Sequence, residues 1–124
     1  MSDWQELTEE DFLGRMLRSY TCIGMVCSLL PIPISLPRPE IGGRFGDHYD
    51  AIVRVSEISE EIPVPETVAA ALFTSCTYWL TAYDVFTAFM GDPQEHRANA
   101  FALCVLGSEG ALETAVEWLA GEEE

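Results

Sequence analysis

The sequence predicts a mainly α-helical fold: about four helices, a short β-hairpin or strand pair, and a Pro-rich crossover. Three observations predict it. Apolar residues recur at helical spacing in long stretches, helix start and stop residues bound these stretches, and a 48% hydrophobic content can supply a core. The length of 124 residues suits one domain. We therefore interpret residues 1–124 as a single domain, with 1–7 a candidate flexible acidic tail and 121–124 a frayed acidic C-terminus.

The first helix is predicted from about residue 9 to the early twenties, or at most to the residue before Pro31. Thr8 is its expected N-cap. Glu9, Glu10 and Asp11 occupy the first turn, where carboxylates are favourable because they face the positive end of the helix dipole.

Residues 31–50, PIPISLPRPEIGGRFGDHYD, are predicted to be irregular because four prolines exclude a central strand and three glycines allow tight turns. Residues 51–58, AIVRVSEI, alternate imperfectly between apolar and polar side chains. This alternation predicts a strand. Its predicted partner is residues 34–36 or residues 41–45.

Residues 66–90 are predicted to form a central, enclosed helix because their pattern is apolar nearly all round. Residues 67–83 carry no charge, but at 17 residues they fall short of the ~20 that a membrane-spanning helix needs. We therefore favour a buried helix over a membrane span.

Two further helices are predicted to follow over very short links, so that neighbours are adjacent and roughly antiparallel. The segment 92–95 predicts the start of a helix, with Asp92 as its N-cap. We expect Gly107 to close that helix near residue 106 and Ser108 to cap the last one, which ends before Gly121.

The charge is extreme and unevenly placed. There are 21 acidic residues, 6 basic residues and no lysine, which gives a formal net charge of −15. The acids concentrate in residues 1–11, 57–66 and 109–124. Nucleic acid and anionic lipid surfaces would repel such a chain, whereas basic proteins would attract it.

The last helix places Glu109, Glu113 and Glu117 four residues apart, with no basic residue in the segment 108–124. Like charges at this spacing destabilise a helix by about 0.2–0.5 kcal/mol per pair. A column of carboxylates on a rigid helix presents a potential similar to that of phosphates along a nucleic-acid strand. The alternative is an ordinary solvated helix face.

The predicted partner-binding residues follow from these blocks. They are acidic except for one tryptophan, which is either a partner anchor or a tail residue folded back on the domain. The set is Glu109, Glu113, Glu117, with Glu57, Glu60, Glu61 as a second patch, and Trp4.

A second, weaker candidate is the cluster Asp47, His48 and Asp50, which could hold a divalent cation. It lacks a recognised zinc spacing, and a surface turn is the alternative. Asp84 is the only charge between residues 67 and 90, and we expect it to pair with an arginine.

The four cysteines, Cys22, Cys27, Cys76 and Cys104, form no CxxC pair. We expect free, mostly buried thiols. The acidic N-terminus does not resemble a targeting signal, which favours a cytoplasmic location. No convincing catalytic set, cofactor motif or metal motif is present, so we expect no enzyme activity and no cofactor.

These observations favour a non-enzymatic acidic protein that inhibits a basic nucleic-acid-handling protein, with nucleic-acid charge mimicry as one mechanism. Small acidic proteins without motifs occur among phage anti-defence proteins, including anti-CRISPRs, and among toxin-immunity proteins. This analogy is one of composition alone. The alternatives are an adaptor subunit that assembles through apolar contacts, including its Pro-rich segment, a protein adapted to high salt, and a small enzyme.

Overall fold

Four long helices account for most of the chain that the computed structural model describes, which is residues 4–38 and 45–121. The predicted mainly helical fold is confirmed. The helices are α1 (Glu9–Ser28), α2 (Phe45–Ile58), α3 (Glu66–Gly91) and α4 (Glu95–Leu119), with short 3₁₀ turns at Trp4–Glu6 and Ser59–Glu61.

Helix α3 is the centre of the fold, because α1, α2 and α4 each pack against it. Its middle residue Trp79 is fully buried, and its indole Nε1 donates a 3.0 Å hydrogen bond to the carbonyl oxygen of Met16 on α1. The predicted central position of this helix is therefore confirmed, with bounds one residue longer than expected. The prediction that it is enclosed is wrong, because Phe73, Tyr78 and Met90 lie on an exposed face.

The helix directions follow from the side-chain contacts. Phe12 contacts Phe86 on α3, whereas Tyr20, two turns later, contacts the earlier residue Trp79, so α1 runs antiparallel to α3. The three-residue link between α3 and α4 makes these two antiparallel as well. Helices α1 and α4 therefore run parallel, which agrees with the contact between Phe12 and Phe101 near their first turns.

Helix α1 begins as the sequence predicts. The Thr8 hydroxyl accepts a hydrogen bond from the backbone N–H of Asp11, and the Asp11 carboxylate accepts one from the backbone N–H of Thr8 at 2.9 Å. This reciprocal capping box satisfies two of the donors that a helix start leaves open. The helix then continues to Ser28, within the predicted range.

The predicted strand pair is wrong where the structure describes it. Residues 51–58 belong to α2, and no strand occurs in residues 4–38 or 45–121. His48, Ile52, Val55 and Ser59 are buried, and their spacing of four, three and four residues is helical. Burial of this stripe favours a helix more strongly than the alternating β-branched residues of the same segment favour a strand. The pairing partner proposed at residues 41–45 lies, except for residue 45, outside the described residues.

The predicted break between residues 106 and 108 is also wrong, because α4 is continuous through Gly107 and Ser108. Ser108 is fully buried against Ser75 of α3. Each serine hydroxyl lies within hydrogen-bond distance of the other residue's carbonyl oxygen, at 2.7 and 2.9 Å. Small residues at these positions let α3 and α4 approach closely, so the glycine serves packing rather than helix termination.

The prediction that Asp92 is the N-cap of α4 is wrong. Gln94 occupies that position, and Asp92 is the C-cap residue of α3. Arg97 fastens this link by donating to the carbonyl oxygens of Ala88 and Asp92, at 3.2 and 2.7 Å, and its guanidinium lies 3.4 Å from the Asp92 carboxylate.

The Pro-rich crossover is held against the bundle. The backbone N–H of Ile34 donates to the carbonyl oxygen of Cys27, and the Tyr20 hydroxyl donates to the carbonyl oxygen of Pro37. Ile34 and Leu36 pack on the core. These two side chains are therefore used inside the molecule, whereas Ile32 is 64% exposed and stays accessible to a partner.

No helix in the described part of the chain is long and apolar enough to cross a membrane. The cysteines are free, as predicted, with Cys27 and Cys76 buried and Cys22 and Cys104 half-buried. Burial raises the pKa of the Cys27 thiol from 9.0 to about 11 and raises the pKa of Cys76 as well. These two thiols stay protonated at neutral pH.

The two internal glycines of α4 yield a stability prediction. A Cβ at Gly110 would lie in open space, whereas a Cβ at Gly107 would meet ring carbons of Tyr78 at 3.0 Å. Gly110→Ala should raise the free energy of unfolding by about 0.5–1 kcal/mol, because alanine lowers the entropy of the unfolded chain. Gly107→Ala should raise the free energy of unfolding by less than Gly110→Ala does, or lower it. Urea titrations measure both, and equal gains would contradict the close α3–α4 approach.

Candidate partner-binding surfaces

The three carboxylates of the predicted column have different environments. Glu109 is half-buried between α4 and α1, and its Oε2 accepts a 2.8 Å hydrogen bond from the hydroxyl of Ser19, which is fully buried. The Arg18 guanidinium Nε lies 4.0 Å from the same oxygen. The segment 108–124 has no basic residue of its own, so the arginine next to Glu109 comes from another helix.

Glu113 and Glu117 are exposed, and neither forms an ion pair within the described residues. Four residues of α-helix separate them by about 6 Å along the axis. This part of the column is a solvated acidic edge, whereas Glu109 also holds α4 against α1.

The second predicted patch, Glu57, Glu60 and Glu61, lies at the end of α2 and in the 3₁₀ turn that follows, and all three side chains are exposed. The contact between Ser75 and Ser108 fixes its level in the bundle. Helix α3 begins at Glu66, shortly after this patch and nine residues before Ser75. Because α3 and α4 are antiparallel, Glu117, nine residues after Ser108, lies at the same level of the bundle as Glu66. The two acidic patches therefore share one end of the bundle.

The N-terminal acids that the structure describes, from Glu6 to Asp11, lie at the opposite end. The indole of Trp4 meets the ring of Phe89 edge-on, with centroids 6.3 Å apart, so this end of α3 lies beside the start of the described chain. Trp4 is half-buried and packs against the core. It is folded back on the helices, which is the second of the two predicted alternatives.

The candidate cation site at Asp47, His48 and Asp50 is not assembled. His48 is buried against the ring of Tyr20, while Asp47 and Asp50 are exposed. The His48 Nε2 lies 3.3 Å from the carbonyl oxygen of Arg38. No group of three potential metal ligands occurs in the described residues. The segment is the first turn of α2 rather than a Gly-rich surface turn.

Asp84 does not pair with an arginine in the described chain. It is exposed, and it lies near the phenol of Tyr49 on α2. Burial, followed by the negative charge of Asp84, raises the pKa of Tyr49. The carboxylate of Asp84 on α3 therefore favours the neutral form of the Tyr49 phenol on α2.

An apolar groove between α1 and α4 was missed by the sequence analysis. Its floor and walls are Cys22, Met25, Val26, Leu29, Val116 and Leu119, and we call it the α1–α4 groove. The apolar positions of each helix are visible in the sequence. Their alignment was not predictable, because it depends on α1 and α4 running parallel.

Comparisons of this chain with protein-family models, with curated proteins and with solved structures found no match. The charge and geometry of the surfaces described above therefore provide the basis for a function.

The double contact of Glu109 yields the next prediction. Glu109→Ala should lower the free energy of unfolding by about 1 kcal/mol or more, because it removes the acceptor of a buried hydroxyl. Glu113→Ala is the matched control, and a change within about 0.5 kcal/mol is expected for this exposed position. Urea titration measures both. Equal effects would show that Glu109 is only a surface charge.

Proposed function

We propose that this chain is a non-enzymatic binding protein that inhibits a basic, nucleic-acid-handling protein. Its carboxylates would occupy arginine and lysine side chains that otherwise contact phosphates. One observation carries the proposal: the glutamates at one end of the bundle are exposed and have no ion-pair partner within the described residues. These are Glu57, Glu60, Glu61, Glu113 and Glu117.

The physical basis is electrostatic. Carboxylates held on rigid helices form charge-assisted hydrogen bonds with guanidinium groups without first breaking an internal ion pair. Complementary charge accelerates encounter and disfavours acidic competitors. Binding would weaken as salt increases, as it does for proteins that bind phosphates. Glu109 would add to the potential, but its engagement by Ser19 makes it a supporting residue rather than a contact residue.

A second candidate function is an adaptor that assembles through apolar contacts. Leu103 and Leu106 on α4 are 68% and 58% exposed, and no charged residue lies between positions 97 and 109. Sedimentation velocity distinguishes the two functions, because an apolar assembly persists in high salt, whereas a charge-driven complex dissociates.

The proposed function predicts the effect of local charge reversal. With the full chain as bait in a host lysate, Glu113→Lys with Glu117→Lys should abolish capture of basic nucleic-acid-binding proteins, which mass spectrometry identifies. The captured protein should lose its nucleic-acid binding when the wild-type chain is added. It should keep that binding when the double variant is added instead. Both effects of the wild-type chain should weaken between low and high salt.

The matched control is Glu10→Lys with Glu95→Lys, which changes the net charge equally but at the opposite end of the bundle, where both residues are exposed. Circular dichroism checks that each variant is folded. If the two double variants lose capture equally, net charge alone explains binding. If neither loses it, the acidic patches are not the binding surface and the proposed function is wrong.

A further inference from the structure

The α1–α4 groove is an unusually apolar surface for a chain of this charge. Met25 and Leu29 on α1 are 61% and 63% exposed, and Val116 on α4 is 51% exposed. The half-buried Cys22 lies at the floor of the groove, which has a volume of about 350 Å³. Exposed apolar side chains that gather in one concave surface are a common mark of a binding site.

The groove continues into a second recess of about 430 Å³, which shares Cys22, Val26 and Val116 with the first. Glu113 and Glu117 line this recess along α4. Arg18 lies at its far end, next to Glu109. An apolar floor thus has a carboxylate edge on one side.

The length of the groove matches two turns of a helix. The positions from Cys22 to Leu29 span about 10 Å, which is two helical turns, at 1.5 Å per residue. An amphipathic helix places apolar side chains at intervals of three and four residues along one face, and such a helix docks in a groove between two others. On that helix, basic residues four apart would match the spacing of Glu113 and Glu117.

We propose that the α1–α4 groove binds a basic amphipathic helix of the partner protein. Apolar side chains of that helix would pack on Met25, Leu29 and Val116, and its arginines or lysines would pair with Glu113 and Glu117. This inference rests on the proposed function and refines it, because it identifies the element of the partner that the acidic edge recognises.

Charge favours this occupant over a second copy of the chain. A symmetric pair of grooves would bring two acidic edges together, and each copy carries a net charge of −15. A basic helix instead gains both from apolar burial and from the carboxylates. Self-association through the groove is therefore an outcome that the experiment must be able to detect.

The test uses a fluorescently labelled synthetic helix with leucines along one face and arginines one turn apart beside them. It is titrated with the full chain, and anisotropy reports binding. A scrambled peptide of the same composition should bind at least about tenfold more weakly, because it retains the charge but loses the apolar face. Equal binding of the two peptides would overturn the inference.

Variants locate the site on the protein. Met25→Ser with Leu29→Ser should weaken binding of the leucine–arginine helix by about tenfold or more, because two anchor contacts are lost. Phe73→Ser with Met90→Ser is the control, since it removes two partly exposed apolar side chains elsewhere and should leave affinity unchanged. Glu113→Gln with Glu117→Gln should reduce the salt dependence of binding. Equal losses in the two serine variants would overturn the inference, as would an unchanged salt dependence.

Two further outcomes separate this inference from the proposed function. If charge reversal abolishes inhibition of the captured partner but the Met25 and Leu29 variant inhibits normally, the proposed function stands and the groove does not take part. If the wild-type chain sediments as a dimer that the same variant dissociates, a second copy occupies the groove and the inference is wrong.

Discussion

The packing of α3 against all three other helices is the constraint on which the rest of the structure depends. Its buried side faces them, and Trp79 at its centre is tied to the backbone of α1. A buried helix face excludes unpaired charge, because a buried ion loses its hydration. The buried positions of α3 accordingly carry none. The one acid in the middle of this helix, Asp84, lies on its exposed side, where water solvates it.

The parallel arrangement of α1 and α4 follows from this central position, and it produces both functional candidates. It brings Ser19 to Glu109 and so holds one carboxylate of the column inside the structure. It also places the apolar flank of α1 beside that of α4, which forms the groove. The acidic edge and the groove are therefore two results of one helix contact, and a single partner element could engage both.

The sequence predicted the parts of this fold that local physics decides. The N-cap at Thr8 and the helix over residues 66–90 each have one strong local signal, and both predictions were correct. The errors arose where tertiary packing outweighs local preference. Gly107 is a helix breaker by propensity, yet it lies inside α4, where a Cβ would meet the ring of Tyr78 at 3.0 Å. The α2 segment has β-branched residues, but burial at His48, Ile52 and Val55 selects a helix.

The length of α4 has a practical consequence for attaching a reporter to the molecule. Helix α4 has 25 residues and is therefore about 37 Å long. Trp4 lies near its first end, and Leu119 lies at the other. A reporter or surface attachment fused ahead of residue 4 would thus be separated from the groove by nearly the full height of the bundle. One fused after Gly121 would crowd the groove.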